Sequence, residues 1–278
     1  MPAVPGKVST RISAGLKRFQ TILEGARARD VNEADTVTIV KDMLAEVFGY
    51  DKYTEITSEY AIRGTYCDLA VKLDGSLATL IEVKAAGLEL KDAHVKQAVD
   101  YAANQGCEWV LLTNGLVWKV FRVSFAKPIE HELIANLEIL GLNTRREEDI
   151  RLAWLLSKEG WLKSRLHEYA TQQQALSRFT IAALLTTDTL LNVLRREVRR
   201  VSPDAKIETE QLRDVLIQDV IKREVLDGEK ADSARKLVNR AARRVLRAAG
   251  TEESSSKIPA NSDKDSAEAT GDSTEHIK

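Results

Sequence analysis

Four things are scarce or missing in this chain, and each narrows what it can be. Cysteine occurs only at positions 67 and 107, each at the edge of a predicted strand and without Cys or His neighbours at metal-ligand spacing. That excludes a disulfide framework and a zinc ribbon, and leaves two buried thiols of a reducing compartment. No uninterrupted apolar run approaches the length of a membrane span, and Met1–Lys7 carries two prolines and no apolar core. A membrane anchor and a secretory signal are therefore not expected, and the natural location is cytoplasmic. Net charge is nearly absent at −1, so any affinity for nucleic acid must come from a local basic surface. Finally, no Gly-x-x-x-x-Gly-Lys-Ser/Thr loop occurs, so no ATP site is expected.

What is present is a soluble chain of 278 residues, 44% hydrophobic and 30% charged, long enough for one large core or two small ones. Its organising stretch is Tyr66–Lys84, YCDLAVKLDGSLATLIEVK. Two apolar runs, Cys67–Leu73 and Leu77–Val83, flank Asp74-Gly75, the pattern of a β-hairpin. Asp68, Glu82 and Lys84 interrupt these runs. Side chains alternate along a strand, so Glu82 and Lys84 share a face. Asp68 joins that face only if the loop holds an odd number of residues, and a three-residue loop Asp74-Gly75-Ser76 is expected to set Asp68 opposite Glu82. A two-residue loop would instead put Asp68 opposite Ile81.

A charge inside an apolar strand must be paired or bound to metal. Two carboxylates and an ammonium that converge can hold a hard cation, and oxygen ligands with retained waters suit Mg²⁺, with Mn²⁺ as a substitute. The order Asp68, then Glu82-Val83-Lys84, resembles the Asp…Glu-x-Lys signature of the PD-(D/E)xK nucleases. Among these it is most similar to the N-terminal nuclease domain of the restriction subunit of type I restriction enzymes. The resemblance implies that Asp68, Glu82 and the Val83 carbonyl bind metal and that Lys84 serves the attacking water.

Taken in order, Ser9–Arg29 reads as an amphipathic helix through Ile12, Leu16, Phe19 and Leu23. Asn32–Phe48 reads as a second, with Asn32 as N-cap, Gly49 as stop and Val37, Val40, Leu44 and Val47 as the buried stripe. Glu33 lies one turn before Val37. An acid there complements the helix dipole or serves a site. The resembling nucleases carry a glutamate at this helix start that points at the metal, which makes Glu33 an accessory acid and metal ligand. Tyr53–Tyr60 reads as the first strand, linked to the Asp68 strand through Arg63-Gly64-Thr65. Lys91–Gln105 is a helix with His94, Gln97, Ala98 and Tyr101 on one face. Gln97 and Tyr101 match a Gln-x-x-x-Tyr element that follows Glu-x-Lys in type I restriction subunits and lies beside the active site, and they are expected to position substrate or Lys84. His94 has no partner ligands in sequence and reads as a packing or hydrogen-bonding residue. Glu108–Thr113 and Leu116–Phe125 flank Asn114-Gly115, a second hairpin.

The expected fold is α/β, a restriction-endonuclease-like core with a central mixed β-sheet flanked by helices over residues 1–128. An all-helical region is expected over 129–250, with helices at Thr144–Ala170, Gln172–Val201, Thr209–Leu226 and Lys230–Ala248. Residues 251–278 read as a disordered acidic tail. The helical region is the candidate for homodimer or partner-subunit contact. Its clusters Arg195-Arg196, Arg199-Arg200 and Arg243-Arg244 with Arg247 either contact DNA phosphates or are ordinary charged helix surfaces. Without a phosphate-binding loop, the ATP-driven translocation of full restriction subunits is not carried over. The expected function is a Mg²⁺-dependent endonuclease acting on DNA in restriction or defence. The competing expectation is a non-catalytic nucleic-acid-binding or assembly module that keeps the nuclease fold.

Overall fold

The computed structural model describes residues 2–62, 65–125 and 127–255. It divides into two compact units, 1–175 and 176–278.

The first unit begins with α1 (Gly6–Ala28) and α2 (Glu33–Glu46). Asn32 caps α2, its side-chain oxygen accepting from the Asp35 amide at 2.9 Å, and Gly49 leaves the following turn at φ 81°. Six strands then form one sheet in the order β1 (Ile56–Ile62), β2 (Thr65–Leu73), β3 (Ser76–Val83), β4 (Trp109–Thr113), β5 (Val117–Ser124) and β6 (Glu130–Glu138). All neighbours are antiparallel except β3 and β4, which α3 (Asp92–Gln105) connects as a crossover. The expected mixed sheet flanked by helices is therefore present.

Each face of the sheet has its own core. On one, Leu16, Phe19, Leu44 and Val47 of the N-terminal helices bury Leu69, Val71, Ile81, Val83 and Trp118. Phe48 meets Trp118 edge-on at 5.2 Å between ring centroids. On the other, Val95, Ala98, Val99 and Ala102 of α3 cover Ala70, Leu80, Val110 and Leu112. Cys67 and Cys107 are both buried and free, and burial pushes the Cys67 thiol up to about 12.

Several sequence expectations are corrected. The first strand starts at Ile56, and Tyr53 lies in the turn before it, 91% exposed. The buried stripe of α2 runs through Thr36, Val40, Met43, Leu44 and Val47, while Val37 is only half-buried. The boundary expected at 128 falls short of the sheet's last strand: β6 pairs with β5 from Val117↔Glu138 to Ser124↔Glu130. After β6 a 3-10 turn (Ile139–Gly141) leads to α4 (Glu147–Leu155), α5 (Lys158–Leu162) and α6 (Arg165–Ala175). The single helix expected over Thr144–Ala170 is broken because Ser157 caps a new start, its hydroxyl accepting from the Gly160 amide, and because Ser164 adopts φ 53°.

The second unit is helical, as expected: α7 (Arg178–Leu185), α8 (Asp188–Val201), α9 (Thr209–Val215), a π-helical segment (Leu216–Val220), α10 (Arg223–Leu226) and α11 (Glu229–Ser255). The run expected as one helix over Gln172–Val201 is interrupted at Ser177, which caps α7 through the Thr180 amide, and again at Thr187. Ala182, Leu191, Leu216, Val225, Ala231, Ala234 and Val238 are its buried apolar side chains among the described residues. The helix α11 continues past the expected tail boundary at 251. Residues 256–278 of that tail lie outside the described residues, as do Arg63 and Gly64 of the link into β2. Among the described residues no helix is long and apolar enough to cross a membrane.

Candidate metal centre

The hairpin that carries the site reaches its expected geometry by a different route. Leu73 pairs with Ser76, so the loop is the two-residue Asp74-Gly75 with both residues at positive φ, 50° and 78°, and not the three-residue loop expected. Continued without interruption, that register would face Asp68 with Ile81. It is interrupted: Lys72 pairs with Leu77 but Val71 pairs with Thr79, so Ala78 is a bulge residue. Beyond the bulge Leu69 pairs with Ile81, and the next position along brings Asp68 opposite Glu82. An even loop plus one inserted residue gives the same parity as an odd loop.

The result is a tight cluster at the exit of β3. Asp68 Oδ2 accepts a hydrogen bond from the Val83 amide at 2.7 Å. Lys84 Nζ donates to Glu82 Oε1 at 2.7 Å and lies 3.6 Å from Glu33 Oε2. Glu33 comes from a different layer, at the first position of α2. What holds α2 there is Thr36, whose buried hydroxyl donates to the Asn32 carbonyl at 2.7 Å and accepts from the Ala86 amide at 3.1 Å. The start of α2 is thus tied to the segment leaving β3. Sequence reading missed Thr36, although the spacing 36, 40, 43, 44, 47 is a better helical stripe than the one through Val37.

Burial governs the electrostatics. The Glu82 side chain is only 2% exposed, and desolvation raises its pKa to about 7. The hydrogen bond from Lys84 opposes that rise and the Asp68 charge adds to it. Burial also raises Asp68, against the Val83 hydrogen bond and the Lys84 charge. For Lys84 burial acts downward, but the bond to Glu82 and the charges of Glu82, Glu33 and Asp68 outweigh it, so its ammonium is stabilised.

Gln97 and Tyr101 lie one turn apart on α3, and Gln97 Nε2 donates to Tyr101 Oη at 3.2 Å. Among the described residues neither is hydrogen-bonded to Asp68, Glu82 or Lys84. His94 Nδ1 accepts from the Lys91 amide at the start of α3, a local hydrogen-bonding role.

Whether these residues suit a divalent cation is tested by what they leave open. Glu82 Oε2 is buried and has no hydrogen-bond partner among the described residues. A buried carboxylate oxygen without a partner is costly unless something else satisfies it. No group of three or more His, Cys, Asp or Glu side chains is gathered as a metal cage among the described residues. Two carboxylates with a main-chain carbonyl would make a sparse donor set, of the kind that suits an ion that keeps several waters, as Mg²⁺ does. The open Glu82 oxygen and this donor set fit such an ion.

Comparison with known proteins gives a match to part of the chain. Residues 39–137 match the family model described as type I restriction enzyme R protein N terminus. The matched segment holds Asp68, Glu82, Lys84, Gln97 and Tyr101 and ends inside β6, past the boundary expected at 128. No curated protein and no solved structure matches the chain. Over residues 39–137, which hold most of the sheet and most of the charged cluster, the chain is thus similar to the N termini of type I restriction enzyme R proteins.

Proposed function

We propose that this chain is a Mg²⁺-dependent endonuclease that hydrolyses phosphodiester bonds of DNA, working in the cytoplasm in restriction of foreign DNA. The observation that carries the reading is the unpartnered, buried Glu82 Oε2 set beside Asp68 and an ion-paired lysine. Asp68, Glu82 and the Val83 carbonyl would hold the ion, with Glu33 as an accessory acid. Mg²⁺ bound there supplies acidification of a coordinated water and neutralisation of charge on a phosphate oxygen. Lys84, held by Glu82 and approached by Glu33, orients the attacking water and offsets the charge that develops on the pentacovalent phosphate. Gln97 and Tyr101 position the substrate or Lys84.

The test is incubation of the purified chain with supercoiled and linear DNA in Mg²⁺, in Mn²⁺ and in EDTA, beside Lys84→Ala. The expected result is cutting that needs the metal and falls by about 10²-fold or more in the variant. DNA binding without cutting, the same in both proteins, would replace the enzyme by a binding or assembly module.

A further inference from the structure

The two arginine-rich helices of the second unit look alike in sequence but differ in how their charge is used. On α8 three of the four arginines face carboxylates. Arg195 lies 3.6 Å from Glu208, Arg196 lies 3.5 Å from Glu197, and Arg200 bonds Glu197 at 2.8 Å. Arg199 donates to the Ile207 carbonyl at 3.4 Å. On α11 only Arg235 is ion-paired among the described residues, to Asp232 at 2.6 Å. Lys236 senses Asp232 at longer range, and Arg240, Arg243 and Arg244 have no ion pair among the described residues.

These four cations, Lys236, Arg240, Arg243 and Arg244, are all exposed and fall at i, i+4, i+7 and i+8, so they occupy one stripe about 12 Å long. Between Ser233 and Arg244 the helix contains no acid at all. Four like charges along about 12 Å repel one another unless an anion lies across them. The opposite side of α11 is already used: Ala231, Ala234 and Val238 are buried, and α11 packs on α7. A helix that settles on a lipid surface needs a free apolar side, which the described side chains of α11 do not form.

We infer that the Lys236-Arg240-Arg243-Arg244 stripe of α11 is a docking surface for the phosphate backbone of duplex DNA, while the α8 cluster is structural. This rests on the reading of DNA as substrate and adds where the chain takes hold of it. Cations that meet phosphates give affinity without reading sequence, and that affinity falls steeply with salt because counterions are released.

The experiment measures binding of the full chain to a fluorescein-labelled duplex in EDTA, as a function of salt. Three proteins are compared: the natural chain, a variant with Lys236, Arg240, Arg243 and Arg244 all changed to Gln, and a variant with Arg195, Arg196, Arg199 and Arg200 all changed to Gln. Glutamine is nearly as good a helix former as lysine or arginine, and circular dichroism checks that both variants fold. The α11 variant is expected to bind at least about tenfold more weakly, with a salt slope shallower by about 2 to 3.5, while the α8 variant stays within about twofold. Unchanged binding by the α11 variant overturns the assignment. So does an equal loss in both variants, which would mean net charge alone, or tighter binding to phosphatidylserine vesicles than to DNA. Because EDTA removes the metal, loss of the nuclease reading would show as absent cutting with this binding pattern intact, and loss of the stripe as the reverse.

Discussion

Asp68 and Val83 are joined across two strands by a 2.7 Å hydrogen bond from amide to carboxylate, which fixes the acid beside the residue that separates Glu82 from Lys84. The bond uses one carboxylate oxygen as an acceptor, a duty an amide side chain can take over. Asp68→Asn should therefore fold normally, with stability within about 1 kcal/mol. Mn²⁺ affinity, measured by titration calorimetry, should fall at least about tenfold. Unchanged metal affinity in the folded variant would remove Asp68 from the ion's ligands.

The bulge at Ala78 makes a sharper prediction. Deleting Ala78 leaves the Asp74-Gly75 turn intact and turns the bulge into a regular ladder in which Lys72 still pairs with Leu77, Val71 with Thr79 and Leu69 with Ile81, so Asp68 still faces Glu82. The deletion should therefore leave metal-dependent cutting in place, and loss of cutting in a folded variant would mean that the bulge itself, and not the pairing beyond it, shapes the site. The plasmid assay measures cutting, and urea denaturation checks that the variant folds.

The pair Arg11–Glu159 predicts a pH signature. Both Glu159 oxygens accept from Arg11 at 2.7 Å, and Arg11 also donates to the Val47 and Phe48 carbonyls. The Arg11 hydrogen bonds hold the Glu159 carboxyl below its usual value near 4.5. A depressed carboxyl contributes stability above its unfolded pKa and loses it as pH falls through the folded one. Glu159→Gln should cost about 1 kcal/mol at pH 7, since the pair is about one-third exposed, and the difference should shrink as pH falls below the unfolded value near 4.5 and vanish only below the lower folded one. Thermal melts of both proteins across pH check this.

Gly160 has no room for a side chain. A Cβ there would meet the Trp154 carbonyl oxygen at 2.1 Å, in the turn that Ser157 caps. Gly160→Ala should destabilise by about 2 kcal/mol or more through backbone displacement between α4 and α5. A melting temperature equal to the natural chain's would contradict the geometry.

Much of the fold was legible because its signals are local. Asn32 before an apolar stripe, Asp74-Gly75 and Asn114-Gly115 between apolar runs, and the change to helical texture toward the C-terminus each report a single element. The charged cluster was legible for a different reason: Glu82 and Lys84 stand out from an apolar strand by their cost of burial. What could not be read was register. Nothing in SLATL marks Ala78 as the inserted residue, because a small apolar side chain serves either face. The edge strand β6 was missed because Glu130, His131 and Glu132 hide its pattern, as an outer strand half in water permits. The helix breaks at Ser157 and Ser177 carry a local mark, a hydroxyl cap after a leucine or alanine-leucine run, but amphipathic period carries across them, and the break at Thr187 lacks even a side-chain cap.

The double role of the Thr36 hydroxyl has a dynamic consequence. Because one oxygen closes hydrogen bonds to both Asn32 and Ala86, the first turn of α2 and the exit of β3 cannot loosen independently. Amide protons of Thr36 and Ala86 should exchange with solvent at matched rates, as one cooperative opening unit. An acid and a lysine that belong to separate layers of the protein then breathe together, and their 3.6 Å separation survives motions that would pull unlinked elements away from each other.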